Sequence, residues 1–396
     1  MSEVRRRLVL YLSGFDPRGV RYYHRLYRAE AQKQAAVSGY EITVGKRERV
    51  DEHLFRWQVR SSHEGRAVET EYLYCEWDDI VRQFWVKQPV KLAWVTLTAS
   101  WRALRSGVFA KTFQWSWPAG VTATMPAIAI LILLLLGAGL AAGGYLAVGI
   151  AGLLAGLALG FGLLRLAYKL EQKFNLTWVG RILSFHEREE QSRTHALDKR
   201  RDDFGGYLRT RLRNTGLDEI LVVGHSYGAA LAIAIVDRAL EAIPDPDRRL
   251  KLSLLTLGQT IMWLAWLPEA KAMGAEIAAV AESDAVDWLD ISAPPDGACF
   301  ALVDPYTAIG DRNPDRRNPK LLNAKFHEIM PEAEFDRKSR DWMRLHFQYI
   351  MATAKPAEYD FFAITAGPQT LAGRFAGRPS VRDFTRLRRG RMKAVR

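Results

Sequence analysis

A serine held between two glycines is the residue in this chain best placed to do covalent chemistry. Ile220-Leu-Val-Val223 is apolar and β-branched, as a central parallel strand requires, and it runs straight into Gly224-His-Ser-Tyr-Gly228 and then Ala229–Val236, an apolar stretch that reads as a helix. The pattern predicts a strand, a tight turn carrying Ser226, and a helix. In such a turn the strand and the helix nearly collide, so the residues two before and two after the serine must be small. The helix N-terminus then offers free N–H groups and the positive end of its dipole to negative charge developing next to the serine. His225 cannot serve as a base for Ser226, because adjacent side chains on so tight a turn diverge.

Gly224-His-Ser-Tyr-Gly-Ala-Ala-Leu231 resembles the lipase-type elbow of the α/β-hydrolase superfamily, in which G-H-S-x-G is followed by small residues and a leucine. The resemblance covers Glu219–Leu231 closely and extends more loosely to Tyr349. It implies a triad in the chain order Ser…Asp/Glu…His, with the acid and base downstream of Ser226. Ser292-Ala-Pro-Pro-Asp-Gly297 presents Asp296 at a Pro/Gly turn leaving a strand, and Asp290 and Asp304 are its rivals. Only His327 and His346 follow Asp296. His346 stands in Arg344-Leu-His-Phe-Gln-Tyr349, similar to the H-x-x-Y that ends lipase-like domains, and is preferred to His327. The implied chemistry is acyl transfer: His346 takes the Ser226 proton, Asp296 orients the imidazole, and water resolves the acyl-enzyme. The Tyr227 amide is one expected oxyanion donor. The other is expected from Gly14-Phe15, in the turn after an early strand. No cofactor or metal is implied. Two further readings use the same residues: an acyltransferase, and an inactive hydrolase-like membrane scaffold.

These residues need a sheet to hold them. Leu8–Leu12 reads as a buried strand ended by Ser13-Gly-Phe-Asp-Pro-Arg-Gly19, followed by a helix from about 20 to 37. Leu54–Arg60 and Val68–Tyr74 alternate apolar and polar residues and read as strands. Leu252–Leu257 and Ala285–Ile291 supply two more. Strands alternating with helices predict an α/β fold, a doubly wound and mostly parallel sheet. Glu187–Arg213 is charged, with Leu197, Phe204, Leu208 and Leu212 at helical spacing, and Asn214-Thr-Gly216 is expected to end it.

One block does not belong to such a sheet. No Lys, Arg, Asp or Glu occurs between Lys111 and Arg165. Val121–Leu140 and Tyr145–Leu164 are each long enough to cross a bilayer as a helix, with Ala141-Ala-Gly-Gly144 as the expected turn. A soluble helix keeps a polar face, and these have none. Trp115, Trp117, Tyr168 and Trp178 flank the spans, as interfacial aromatics do, and Arg102, Arg105 and Lys111 answer Arg165, Lys169 and Lys173 at the two outer ends. By the positive-inside rule both ends of the hairpin, and both termini, are expected in the cytoplasm, with the protein multi-pass in the inner membrane. Gly152, Gly156 and Gly160 share one helix face, suited to close approach by the first span or by a second copy of the chain.

The formal net charge is +12. The basic residues gather near the apolar block, in the charged helix and at the C-terminus instead of forming one stripe, which argues against nucleic acid and for anionic lipid. Cys75 and Cys299 are isolated, without zinc-type spacing, and read as small buried residues. The expected organisation is one hydrolase-like domain from 1–110 and 180–355, a membrane hairpin with its flanks at 111–179, and a basic tail at 356–396. The lipid bilayer and an acyl ester or thioester are the expected partners.

Overall fold

The computed structural model describes residues 3–174, 177–190, 195–213, 216–242, 250–268, 270–311, 313 and 315–381. The chain divides into two compact units, one of Met1–Gln83, Gln114–Ser116 and Thr194–Arg396, the other of Phe84–Phe113 and Trp117–Arg193.

The first unit is an α/β structure around one mixed, mostly parallel sheet. Its strands are β1 (Arg6–Leu12), β2 (Glu41–Val44), β3 (Glu48–Asp51), β4 (Leu54–His63), β5 (Arg66–Cys75), β6 (Glu219–His225), β7 (Lys251–Leu257), β8 (Val286–Ser292) and β9 (Lys320–Asn323). They lie in the order β2-β4-β5-β1-β6-β7-β8-β9, with β3 paired to β4. From β5 to β9 every neighbour pair is parallel, while β2, β3 and β5 pair antiparallel with β4. From β1 the chain builds outward to one side and later returns to build on the other, so the order reverses between β1 and β6. That reversal is where open α/β sheets leave a crevice at the carboxyl ends of their strands.

The reason β1 and β6 pair lies in their composition. Leu8–Leu12 and all of β6 are buried, as strands covered on both faces must be. Their register sets Leu12 beside Gly224. Two residues past that pair, each just beyond the end of its strand, Gly14 comes level with Ser226. At the opposite end of the same strands, Arg7 and Glu219 form a fully buried ion pair at 2.7 Å. Arg7 also donates to the carbonyls of Gly367 (2.8 Å) and Gln369 (2.5 Å), and Glu219 accepts from the Leu371 amide at 2.8 Å. Each charge is thus hydrogen-bonded as well as paired, the condition under which burial is tolerated.

Those bonds change the expected C-terminal boundary. Residues 356–381 are not a tail: Phe361–Ala366 is a buried helix, capped by the Asp360 carboxylate at the amides of Phe362 and Ala363 (3.0 and 2.9 Å). Composition misled here because the basic residues cluster after Arg378, and 382–396 lies outside the described residues. So does the expected helix stop at Asn214-Thr215.

The helices in chain order are α1 (Gly19–Ser38), α2 (Asp78–Phe84), α3 (Pro89–Arg105), α4 (Val108–Trp115), α5 (Trp117–Val148), α6 (Ile150–Phe174), α7 (Trp178–Glu190), α8 (Ala196–Leu212) and α9 (Gly228–Asp237), with Lys271–Glu282 and several shorter ones beyond. The charged stretch expected as one helix from Glu187 is α7 and α8, and Leu197, Phe204, Leu208 and Leu212 are all buried faces of α8.

The second unit carries the apolar block. Both α5 and α6 are long and apolar enough to cross a membrane. Leucines and isoleucines on their outer faces stand open, among them Leu135 at 72% and Ile150 at 70% exposure, a surface water does not favour. The turn between them is not Ala141–Gly144 but Gly149, at φ +67°. Ala141-Ala142 continue the helix readily, and Gly149 supplies the left-handed residue that ends one. Gly144 then meets Gly152. A Cβ on Gly152 would fall 1.8 Å from the Gly144 carbonyl oxygen, and one on Gly156 would fall 2.2 Å from that of Leu140. The small-residue face is therefore occupied by α5 within one hairpin, the first of its two expected partners.

Two further helices occupy sequence expected to belong to the sheet domain. α3 packs on α7 closely enough that a Cβ on Gly180 would meet the Thr96 side chain at 2.7 Å. Arg181 of α7 bonds Glu171 at 2.6 Å and the Val86 carbonyl at 3.2 Å, and Tyr168 donates to the Lys87 carbonyl at 2.8 Å. The insertion between β5 and β6 is thus longer than the hairpin alone.

Candidate active site

Ser226 follows β6 in a left-handed conformation, φ +57°, which a residue with a Cβ adopts only when its surroundings impose it. The surroundings do so through glycines. A Cβ on Gly224 would lie 2.5 Å from both Ala229 Cα and the Gly228 carbonyl oxygen, and one on Gly228 would lie 2.3 and 2.5 Å from the carbonyl oxygens of Leu12 and Ser13. The Ser226 amide donates to the Leu257 carbonyl at 2.9 Å, and its own carbonyl accepts from Ala229 at 3.1 Å, opening α9. Strand, turn and helix are locked together with the serine at the apex.

The turn after β1 closes on this apex. A Cβ on Gly14 would sit 3.0 Å from Ser226 Cβ and 3.4 Å from its Oγ, so a glycine there lets the two backbones meet. Phe15 is fully buried, with its ring 6.2 Å from those of both Trp77 and Tyr227, which stack on each other at 5.1 Å. Trp77 Nε1 donates to the Ser13 carbonyl at 3.0 Å. The Asp16 carboxylate accepts from the Arg18 amide (3.0 Å), the Arg18 guanidinium (2.5–2.9 Å) and the Tyr23 hydroxyl (2.8 Å). Arg18 lies over the Tyr22 and Phe347 rings at 3.9 and 4.7 Å. The loop is fixed before any ligand arrives.

Asp296 and His346, 50 residues apart, meet at 2.8 Å between Oδ2 and Nδ1, both buried. Burial pushes the Asp296 carboxyl upward, but the charge and hydrogen bond of His346, with bonds from Cys299 and the Ala298 amide, outweigh it. They hold Asp296 below the usual carboxylate range. The other candidates stand elsewhere. Asp290 accepts from the Thr256 hydroxyl at 2.7 Å, and burial raises its carboxyl to about 7. Asp304 caps the Pro305–Ala308 helix and pairs with Arg316. His327 is half exposed beside Glu328.

Three residues brace the acid and base, and of the three His225 belongs to the elbow itself. His225, deeply buried and lowered to about 3 by desolvation, is neutral; its Nε2–H donates to the His346 carbonyl at 2.9 Å. The residue before the serine thereby holds the backbone of His346, with the two imidazoles 5.0 Å apart. The Tyr349 hydroxyl accepts the Ala293 amide at 2.9 Å, joining the base-bearing segment to the loop that carries Asp296. The Cys299 thiol donates to the Asp296 carbonyl at 3.3 Å. Of these only Tyr349 left a trace in the sequence, as the end of H-x-x-Y.

Among the described residues, no group of three or more His, Cys, Asp or Glu side chains could hold a metal ion. A histidine whose Nδ1 is held by a buried carboxylate is the arrangement that polarises a hydroxyl at its other ring nitrogen. No family model, no curated protein and no solved structure matches the chain.

Proposed function

We propose that the protein is a membrane-anchored serine hydrolase of the α/β-hydrolase kind, acting on an ester or thioester through an acyl-serine. The observation that carries this reading is the buried Asp296–His346 pair, whose base is tied by His225 to the backbone immediately before Ser226. Such a pair costs desolvation energy that an apolar replacement would avoid, and it lies at the turn where the chain also keeps a serine in a strained conformation.

In the proposed reaction the Asp296 carboxylate accepts a hydrogen bond from Nδ1–H of His346 and stays ionised, which fixes the tautomer whose Nε2 is free to take the Ser226 proton. Ser226 Oγ then attacks the acyl carbonyl, and the Tyr227 amide, with a second amide from Gly14-Phe15, receives the oxyanion. His346 returns the proton to the leaving group, and water repeats the sequence to free the acid. The hairpin α5–α6 anchors the enzyme in the inner membrane, with termini and sheet in the cytoplasm, because basic residues flank both of its outer ends. A lipid-derived acyl group suits an enzyme held at a bilayer.

An inert scaffold is the second reading, and the observation in its favour is that Ser226 is only 1% exposed. Turnover separates the two. Vesicle-held protein supplied with a short-chain p-nitrophenyl ester is expected to release the phenol in a burst and to gain the acyl mass on Ser226. Wild-type protein that shows neither burst nor adduct would leave the scaffold.

A further inference from the structure

The second unit contains a helix whose outward face has no use in a water-soluble structure. α3 buries Leu92, Val95, Thr96, Ala99, Ser100 and Ala103, the face turned to its neighbours. At 3.6 residues per turn, Val90, Trp94, Trp101 and Leu104 fall together on another face, and all four are open, Trp94 at 68% and Trp101 at 58% exposure. This stripe is apolar and aromatic at the same time as the helix is cationic. Lys87, Lys91, Arg102, Arg105 and Lys111 lie in or beside it, and no Asp or Glu occurs from Ile80 to Leu170.

Taking the hairpin as membrane-spanning, as proposed above, we infer that α3 is an interfacial helix that lies on the bilayer and takes anionic phospholipid as its partner. Three observations select lipid over another protein. Tryptophan is the side chain that favours the headgroup level, with an apolar body and one N–H to satisfy. The run of basic residues without any acidic one is complementary to an anionic surface and not to a mixed protein surface. The helix that carries the stripe packs on α5 of the hairpin within one unit, so its open apolar face and the open apolar surface of the hairpin belong to one body. A helix with one face on protein and an aromatic, cation-flanked face outward is the form that lies in the interface plane.

The test uses full-length protein in vesicles of phosphatidylcholine and phosphatidylglycerol, comparing wild type with Trp94→Phe/Trp101→Phe, an exchange of exposed aromatics that leaves the packed face intact. Tryptophan emission is quenched from the membrane by lipids brominated near the headgroup, and from water by acrylamide. The double variant is expected to lose lipid-quenched emission and to keep its acrylamide-quenched emission, and the lipid quenching of wild type should weaken when phosphatidylglycerol is replaced by phosphatidylcholine. Loss of the acrylamide-quenched part instead would place the face in water. Loss of emission sensitive to neither quencher would mean that a second copy covers it. Quenching indifferent to headgroup charge would remove anionic lipid as the partner. Each of these overturns the inference. An alkaline carbonate wash tells the two readings apart: protein that stays in the vesicles but fails the quenching test loses only the α3 assignment, whereas protein that washes off loses the membrane anchor as well.

Discussion

His346 and Asp296 have different jobs in the proposed reaction, so their losses should be ranked. His346→Ala removes the base and is expected to lower ester turnover nearly as far as Ser226→Ala. Asp296→Asn keeps the base but loses the charge that orients it, and should cost less than either. Combined variants should be no worse than the worst single one, because the residues act as a unit. His327→Ala should match wild type. Equal damage from His327→Ala would move the base assignment. Asp290 gives a separate, thermodynamic expectation. Its folded carboxyl is raised to about 7, above the unfolded value of about 3.9. The folded state therefore holds a proton that the unfolded chain releases, and stability falls as pH rises from about 4 to about 7 and then levels off. Asp290→Asn removes that dependence. Thermal melts should show the variant gaining on wild type through this window and holding its lead above it; parallel curves would mean that Asp290 is ionised in the fold. Serine was legible at this scale because glycine spacing reports backbone collision. His225 was not, because it acts through a contact with His346, 121 residues away; nor was Cys299, which bonds Asp296 within a loop whose spacing carries no pattern.

Elements were legible where one face or both had to be apolar. β1, β6, β7 and β8 stand within a residue or two of their expected ends, since buried parallel strands leave a continuous apolar run. β2, β3 and β9 carry no such run, being short, and all of β3 is exposed. α3 escaped notice for the opposite reason: its outward face is aromatic, which hides the polar side that marks an amphipathic helix. The hairpin turn was misplaced because glycine marks close approach as well as turning, and Gly144 serves the first purpose. Gly152→Leu tests the same contact from its other side. With the Gly144 carbonyl oxygen 1.8 Å from the new Cβ, α5 and α6 must separate, and a cysteine pair at residues 137 and 160, where an added Cβ keeps 3.2 Å or more from its neighbours, should lose disulfide crosslinking relative to the parent with glycine at 152. Undiminished crosslinking would show that the helices do not pack through this face.

For the whole molecule, the sheet is what requires both sides of the insertion. β1 and β5 precede it, β6 to β9 follow it, and β1 pairs with β5 on one edge and β6 on the other. With α5 and α6 crossing a membrane as proposed, the two ends of the insertion return to the same side of it. Reporter fusions at residues 110 and 396 are expected to report the cytoplasm together. Opposite locations would mean that only one of α5 and α6 crosses, and such a chain could not close this sheet. The function proposed for that sheet depends on an activated Ser226, and a fluorophosphonate probe reports such a serine whatever its natural substrate. Labelling of wild-type protein that vanishes in Ser226→Ala, with the membrane-held amount and the melting temperature unchanged, is the expected result. Absence of labelling in folded wild-type protein, or labelling that survives Ser226→Ala, would contradict it.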